Sequence, residues 1–84
     1  MSENFTERRA QARHRVFKGG RLAFNSGGSL ECTVRNISQS GARIDLTSPV
    51  ALPEQFTLLI ATDHFQRSCH PVWTNDTRIG LAFD

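Results

Sequence analysis

At 84 residues the chain is one small domain, able to bury roughly 60% of the surface that its unfolded form exposes. With 38% hydrophobic and 21% charged residues, the composition excludes low-complexity, collagen-like and charge-driven disordered classes. The net charge of +2 is unevenly spread: residues 1–21 hold Arg8, Arg9, Arg13, Arg15, Lys18 and Arg21 against Glu3 and Glu7, whereas the remainder holds four arginines against six acids. Basic charge gathered at one end points to an anionic partner, with a solvated charged tail as the plain alternative.

In chain order, residues 1–14 are polar, lack an apolar period and are expected to form a flexible basic arm, with a helical turn around Glu7–Arg13. The opening residues lack the basic and apolar runs of a secretory leader. No apolar run approaches the ~20 residues that span a bilayer. The expectation is therefore a cytoplasmic protein without membrane insertion.

Residues 15–84 form the folded domain. Val16, Leu22 and Phe24 anchor a first strand over Arg15–Asn25, which Gly19-Gly20 is expected to bulge or bend. The cluster Asn25–Ser29 closes a hairpin onto a second strand, Leu30–Ile37, and a third runs over Ala42–Thr47. Pro49 and Pro53 keep Ser48–Pro53 out of any central strand. Phe56, Leu58 and Ile60 alternate in a fourth strand, Glu54–Ala61, and Thr62–His64 turns the chain. A fifth strand, Phe65–Thr74, contains Pro71 and so calls for an edge or a bulge. Asn75-Asp76 is the next turn, before a sixth strand, Arg78–Phe83, in which Ile79, Leu81 and Phe83 alternate. Six short strands without an amphipathic helix predict an all-β fold, a small antiparallel barrel or sandwich.

Candidate chemistry is concentrated in two places. Arg9 and Arg13 are four apart, which puts both guanidiniums on one side of a helix or of an extended chain. Guanidinium groups grip phosphates or guanine edges bidentately and stack on base planes. The second place is the polar knuckle Asn36–Gly41, between the alternating runs of Cys32–Arg35 and Ala42–Leu46. Asn36 and Ser38 share a face if the backbone is extended, and Gly41 permits either a positive φ or a close approach to a ligand. The bland reading is that Asn36 satisfies its own turn.

Other groups carry less. Cys32 and Cys69 are expected to be free and buried, as small hydrophobes. There is no C-x-x-C pair, and His14, His64 and His70 lack metal-finger spacing, so no metal site is expected. Ser38, Ser40, His14 and His70 compose no nucleophile site, and no G-x-S-x-G elbow is present, which argues against an enzyme. Phe56, Phe65, Trp73 and Phe83 are expected in the core, a base-stacking platform being the alternative.

Taken together, Glu7-Arg8-Arg9 with Arg13, Val16, Cys32–Ser38, Gly41-Ala-Arg43, Leu52-Pro53, Phe56–Leu58, Val72-Trp73 and Gly80–Phe83 resemble the PilZ domain, a bacterial receptor for cyclic di-GMP. The resemblance implies a six-stranded antiparallel barrel with an arginine-bearing arm that closes over nucleotide. By it, Arg9 and Arg13 hold guanine and phosphate, Asn36 and Ser38 bond base and phosphate, and Gly41 lets the ligand sit close. Asn36 stands where many members have Asp, which implies a weaker acceptor. The family's usual C-terminal helix has no counterpart before Asp84.

In proteins similar to this one, the position of Arg8 bears on how many ligands bind. Arg15 and Arg43 are supporting cations for a second, stacked nucleotide. The resulting expectation is a non-catalytic receptor, a monomer that needs no cofactor, signals to a downstream protein and does not bind DNA. Two rivals are a PilZ-like adaptor without nucleotide and a small barrel binding single-stranded RNA.

Overall fold

The computed structural model describes residues 14–84. Six strands form: β1 (His14–Ala23), β2 (Ser29–Ile37), β3 (Gly41–Asp45), β4 (Phe56–Ile60), β5 (Phe65–Asn75) and β6 (Arg78–Phe83). They close as a barrel in the order β1-β2-β3-β6-β5-β4, with every neighbouring pair antiparallel. The expected all-β architecture is present, as a barrel rather than a sandwich. Closure leaves few backbone groups on open edges, the hazard that small sheets must manage.

The core follows from period-two patterning. Cys32 and Val34, Ala42 and Ile44, Phe56, Leu58 and Ile60, and Ile79 and Leu81 all turn inward, joined by Leu22, Leu46 and Cys69. Full burial of one such aliphatic or aromatic side chain contributes roughly 1.5–3 kcal/mol. Phe56 is in this core, while Phe65 and Phe83 pack half-buried against it. Trp73 departs from the expectation and lies 45% exposed on the outer face. Both thiols are free and buried. Burial, with the nearby Cys69 and Glu31, pushes the Cys32 thiol up to about 12. Burial and then Asp84 push Cys69 up to about 11. Both stay protonated and pack as small hydrophobes.

Three ladder irregularities shape the barrel. The first lies between Arg15 and Lys18 on β1, not at Gly19-Gly20, whose residues pair in register with Thr33 and Cys32. Gly20 serves packing instead. A Cβ there would come to 3.1 Å from Val34 and 3.2 Å from the Cys32 sulfur. The second lies on β2 at Arg35. The third lies between Pro71 and Trp73 on β5, the bulge that Pro71 called for.

The β5–β6 hairpin turns on Asp76-Thr77 rather than Asn75-Asp76, because Asn75 still pairs with Arg78. Asp76 takes φ +59°, a left-handed conformation that short polar side chains tolerate. Between β4 and β5 the chain makes one 3-10 turn, Ala61–Asp63, ending on His64 in the left-handed region. Among the described residues, no helix is long and apolar enough to cross a membrane.

Gly41 opens β3 opposite Ala82 and is buried. It does not use a positive φ; among the described glycines only Gly27 does. Its missing side chain makes room for the Leu81 backbone, since a Cβ would collide with the Leu81 carbonyl oxygen. Gly41→Ala should therefore lower stability by about 1–3 kcal/mol, the usual cost of overpacking. Urea denaturation of the variant against wild type checks this.

Candidate functional site

The bulge at Arg35 decides where the knuckle side chains point. Cys32 and Val34 face the core, so unbroken alternation would turn Asn36 inward as well. Instead Val34 pairs with Ile44 and Asn36 pairs with Arg43, so that Arg35 is an extra residue. The phase flips, and Asn36 joins Arg43 on the outer face. On its other side Asn36 pairs with Arg15. Arg43 pairs in turn with Gly80, and Gly80 with Trp73. Directly opposed residues share a face, so Arg15, Asn36, Arg43, Gly80 and Trp73 form one row across five strands.

The row is cationic at one end. Arg15, Arg35 and Arg43 surround a cleft of about 240 Å³ together with Val16 and Asn36. Arg35 is engaged by Asp45 at 3.1 Å and lies over the Phe17 ring at 5.4 Å. Among the described residues, no carboxylate lies within ion-pair distance of Arg15 or Arg43. Asn36 Oδ1 and Arg43 Nε are buried and make no hydrogen bond to any described residue. Buried polar atoms normally find partners, so this acceptor and this donor are set for something that comes from outside the barrel. Asn36 does not cap its own turn.

Ser38 behaves differently. Its amide donates to the Gly41 carbonyl at 2.8 Å, and its hydroxyl reaches the same carbonyl at 3.4 Å. The Ser40 amide donates to the Ser38 hydroxyl at 3.3 Å. The two knuckle residues thus divide the work: Ser38 closes the turn, and Asn36 presents an unused acceptor.

At the other end of the row the Trp73 indole covers Gly80, where any side chain would overlap its ring. Trp73, Val72, Gly80, Ser40, Gly41 and Arg43 line a cleft of about 250 Å³ that joins the indole to the knuckle. Sequence reasoning placed Trp73 in the core. The missed signal was Gly80 across the hairpin, a residue whose emptiness a neighbouring aromatic can cover. Arg35 was missed too, for only the bulge makes it a neighbour of Asn36 on the outer face. A larger cleft, about 690 Å³, lies where β1 and β4 part, and its cation Arg21 is paired with Glu31. It offers no comparable set of unpaired cations.

Of the residues singled out from the sequence, Asn36, Ser38, Gly41, Arg15 and Arg43 come together here. Arg8, Arg9 and Arg13 lie outside the described residues, as does nearly all of the expected arm. His14, which follows Arg13 in the chain, pairs with Ile37 beside the knuckle. A family model described as PilZ domain matches residues 7–84, nearly the whole chain. No curated protein matches it.

The division between Asn36 and Ser38 is measurable without any ligand. Asn36→Ala should leave thermal unfolding within about 0.5 kcal/mol of wild type, as for a side chain with no internal bond. Ser38→Ala should cost about 0.5–1.5 kcal/mol by removing the bonds that close the turn.

Proposed function

The chain belongs to the PilZ domain family, whose members are generally cyclic di-GMP receptors and typically non-catalytic, and on that premise we propose that it is a cyclic di-GMP receptor that changes conformation on binding and signals to a partner protein. The observation that carries this reading is the outer-face row, whose two arginines and Asn36 acceptor have no partner among the described residues. A cyclic dinucleotide brings what that row lacks: phosphates for Arg15 and Arg43, and base N–H groups for the Asn36 amide oxygen. Trp73 adds an exposed ring on which a purine can stack. Arg9 and Arg13 complete the cationic side, with Ser38 and Gly41 shaping the knuckle against which the ligand lies. No cofactor is required.

The adaptor rival needs a degenerate site, whereas the Arg9–Arg13 pair and the Ser38–Gly41 part of the knuckle are intact, with Asn36 in place of the more usual Asp. An RNA binder would read stacking and charge alone, and excess single-stranded RNA would then displace the dinucleotide.

Calorimetric titration tests the reading. Arg9→Ala and Arg13→Ala should each remove a charge-assisted contact of ~1.5–3 kcal/mol, or roughly ten- to a hundredfold in affinity, with the fold intact. Unchanged affinity in both would remove them from the site.

Stoichiometry gives a second test. One cyclic di-GMP carries two phosphate charges, and a stacked second molecule adds two more. Phosphates a few ångströms apart repel by roughly 1–4 kcal/mol per pair at effective dielectrics between water and a protein surface. Arg8, Arg15 and Arg43 supply the cations that offset this. Two ligands per chain are expected for wild type, moving towards one in Arg8→Leu. A wild-type ratio of one, at concentrations where the free nucleotide pairs, would exclude the stacked arrangement.

A further inference from the structure

β5 contains an arginine where the barrel's pattern calls for an apolar residue. Phe65, Arg67 and Cys69 fall on the same face, and Arg67 pairs directly with Leu58, whose side chain is fully buried. Its neighbours in register, Phe65 opposite Ile60 and Cys69 opposite Phe56, both pack on the core. Arg67 nonetheless stays exposed, at the barrel mouth beyond the Cys69–Phe83 pair.

What the guanidinium meets there is the turn after β2. Arg67 lies over the Phe83 ring at 4.7 Å, donates through one NH₂ to the Gln39 carbonyl at 3.3 Å, and through the other to the Asp84 carbonyl at 3.4 Å. Gln39 sits between Ser38 and Ser40, at the outer tip of the turn. A second tie from outside the turn is the Phe83 amide, which donates to the Ser40 carbonyl at 2.8 Å. Phe83 thus holds the turn through its backbone while its ring carries Arg67. The following residue, Asp84, is itself fastened: its amide donates to the Ser68 carbonyl, and its carboxylate accepts from Ser68, Gln55 and the His70 ring. Those donors hold the Asp84 carboxyl below its ordinary range, led by Gln55 and then His70.

We propose that Arg67 is a positioning residue for the nucleotide: from the barrel mouth it holds the Ser38–Gly41 turn in the shape that the ligand meets, without touching the ligand itself. The inference rests on the receptor reading above. Its chemistry needs a fork. A guanidinium is planar and presents several donors, so it can reach two carbonyls while lying flat on a ring. A lysine ammonium can reach one carbonyl and cannot lie flat, so it should restore part of the function and an alanine none.

The test combines hydrogen exchange on the ligand-free protein with calorimetry using cyclic di-GMP, on wild type, Arg67→Ala and Arg67→Lys. In Arg67→Ala the Ser38 and Phe83 amides, which hold the turn, should exchange at least severalfold faster, while Val34 and Ile44 in the core keep wild-type rates. Affinity should fall about two- to tenfold, the size of one hydrogen bond, and Arg67→Lys should lie between. Unchanged exchange at Ser38 and Phe83 overturns the proposal. So does a uniform rise across the barrel, which marks a merely structural residue. Wild-type binding with equal affinity in Arg67→Ala overturns it while the receptor reading stands. Absence of binding by wild type removes that reading and the ligand role with it, leaving the exchange data to decide whether Arg67 holds the turn.

Discussion

One extra residue on β2 is the constraint on which the candidate site depends. A strand in a closed barrel has two faces and no freedom to choose between them, because side chains alternate and one face is filled. Arg35 breaks that alternation. Upstream of it, Cys32 and Val34 face the core; downstream, Asn36 faces outward beside Arg15 and Arg43. Without the slip, an amide would enter an apolar interior with no partner, at a cost of about 1–3 kcal/mol by protein mutational data. Two guanidiniums would then lose the neighbour between them. The register irregularity on β1 between Arg15 and Lys18 lies against the same point and keeps Val16 on the core while Arg15 stays out.

The turn after β2 is held by its surroundings as much as by its own residues. Ser38 closes it from within. Gly41 lets β3 approach β6 so closely that no side chain fits before the Leu81 carbonyl. From the far side come the Phe83 amide and the Arg67 guanidinium, both from the part of the chain where β6 ends and β5 begins. A loop on a rigid scaffold with several independent ties is how a binding segment keeps a defined shape at small entropic cost. The same ties connect the candidate site to Phe83 and Asp84 at the barrel mouth.

Charge around the barrel is left uncompensated in a selective way. Lys18, Arg21 and Arg35 each have a carboxylate partner, at 2.6, 3.1 and 3.1 Å, whereas Arg15 and Arg43, flanking Asn36, have none among the described residues. Exposed pairs of this kind add little to stability, so their distribution says more about binding than about folding. Cations with no carboxylate partner among the described residues stay available to an incoming anion. Across the row, Trp73 over Gly80 keeps an aromatic ring on the surface and shields backbone that would otherwise lie bare.

The number and identity of the strands were legible in the residues themselves: the alternation of Phe56, Leu58 and Ile60, or of Ile79 and Leu81, needs no partner to be seen, and Pro71, lacking an N–H, called for an edge or a bulge. The family pattern running from Arg9 to Gly80–Phe83 was legible too, since it is a matter of residue types at spacings. What alternation alone misplaced are the features that depend on which strands become neighbours. The β1 slip fell before Lys18 and not at Gly19-Gly20, because it answers Arg35 across the ladder and not a local weakness of the chain. Trp73 stayed outside because the strand facing it offers a glycine. Arg67 reaches the Gln39 carbonyl only because the fold brings β5 beside the turn after β2. Sequence determined the period of each strand and the chemistry it carries; tertiary structure decided the register, and register alone sets which side chains share a face.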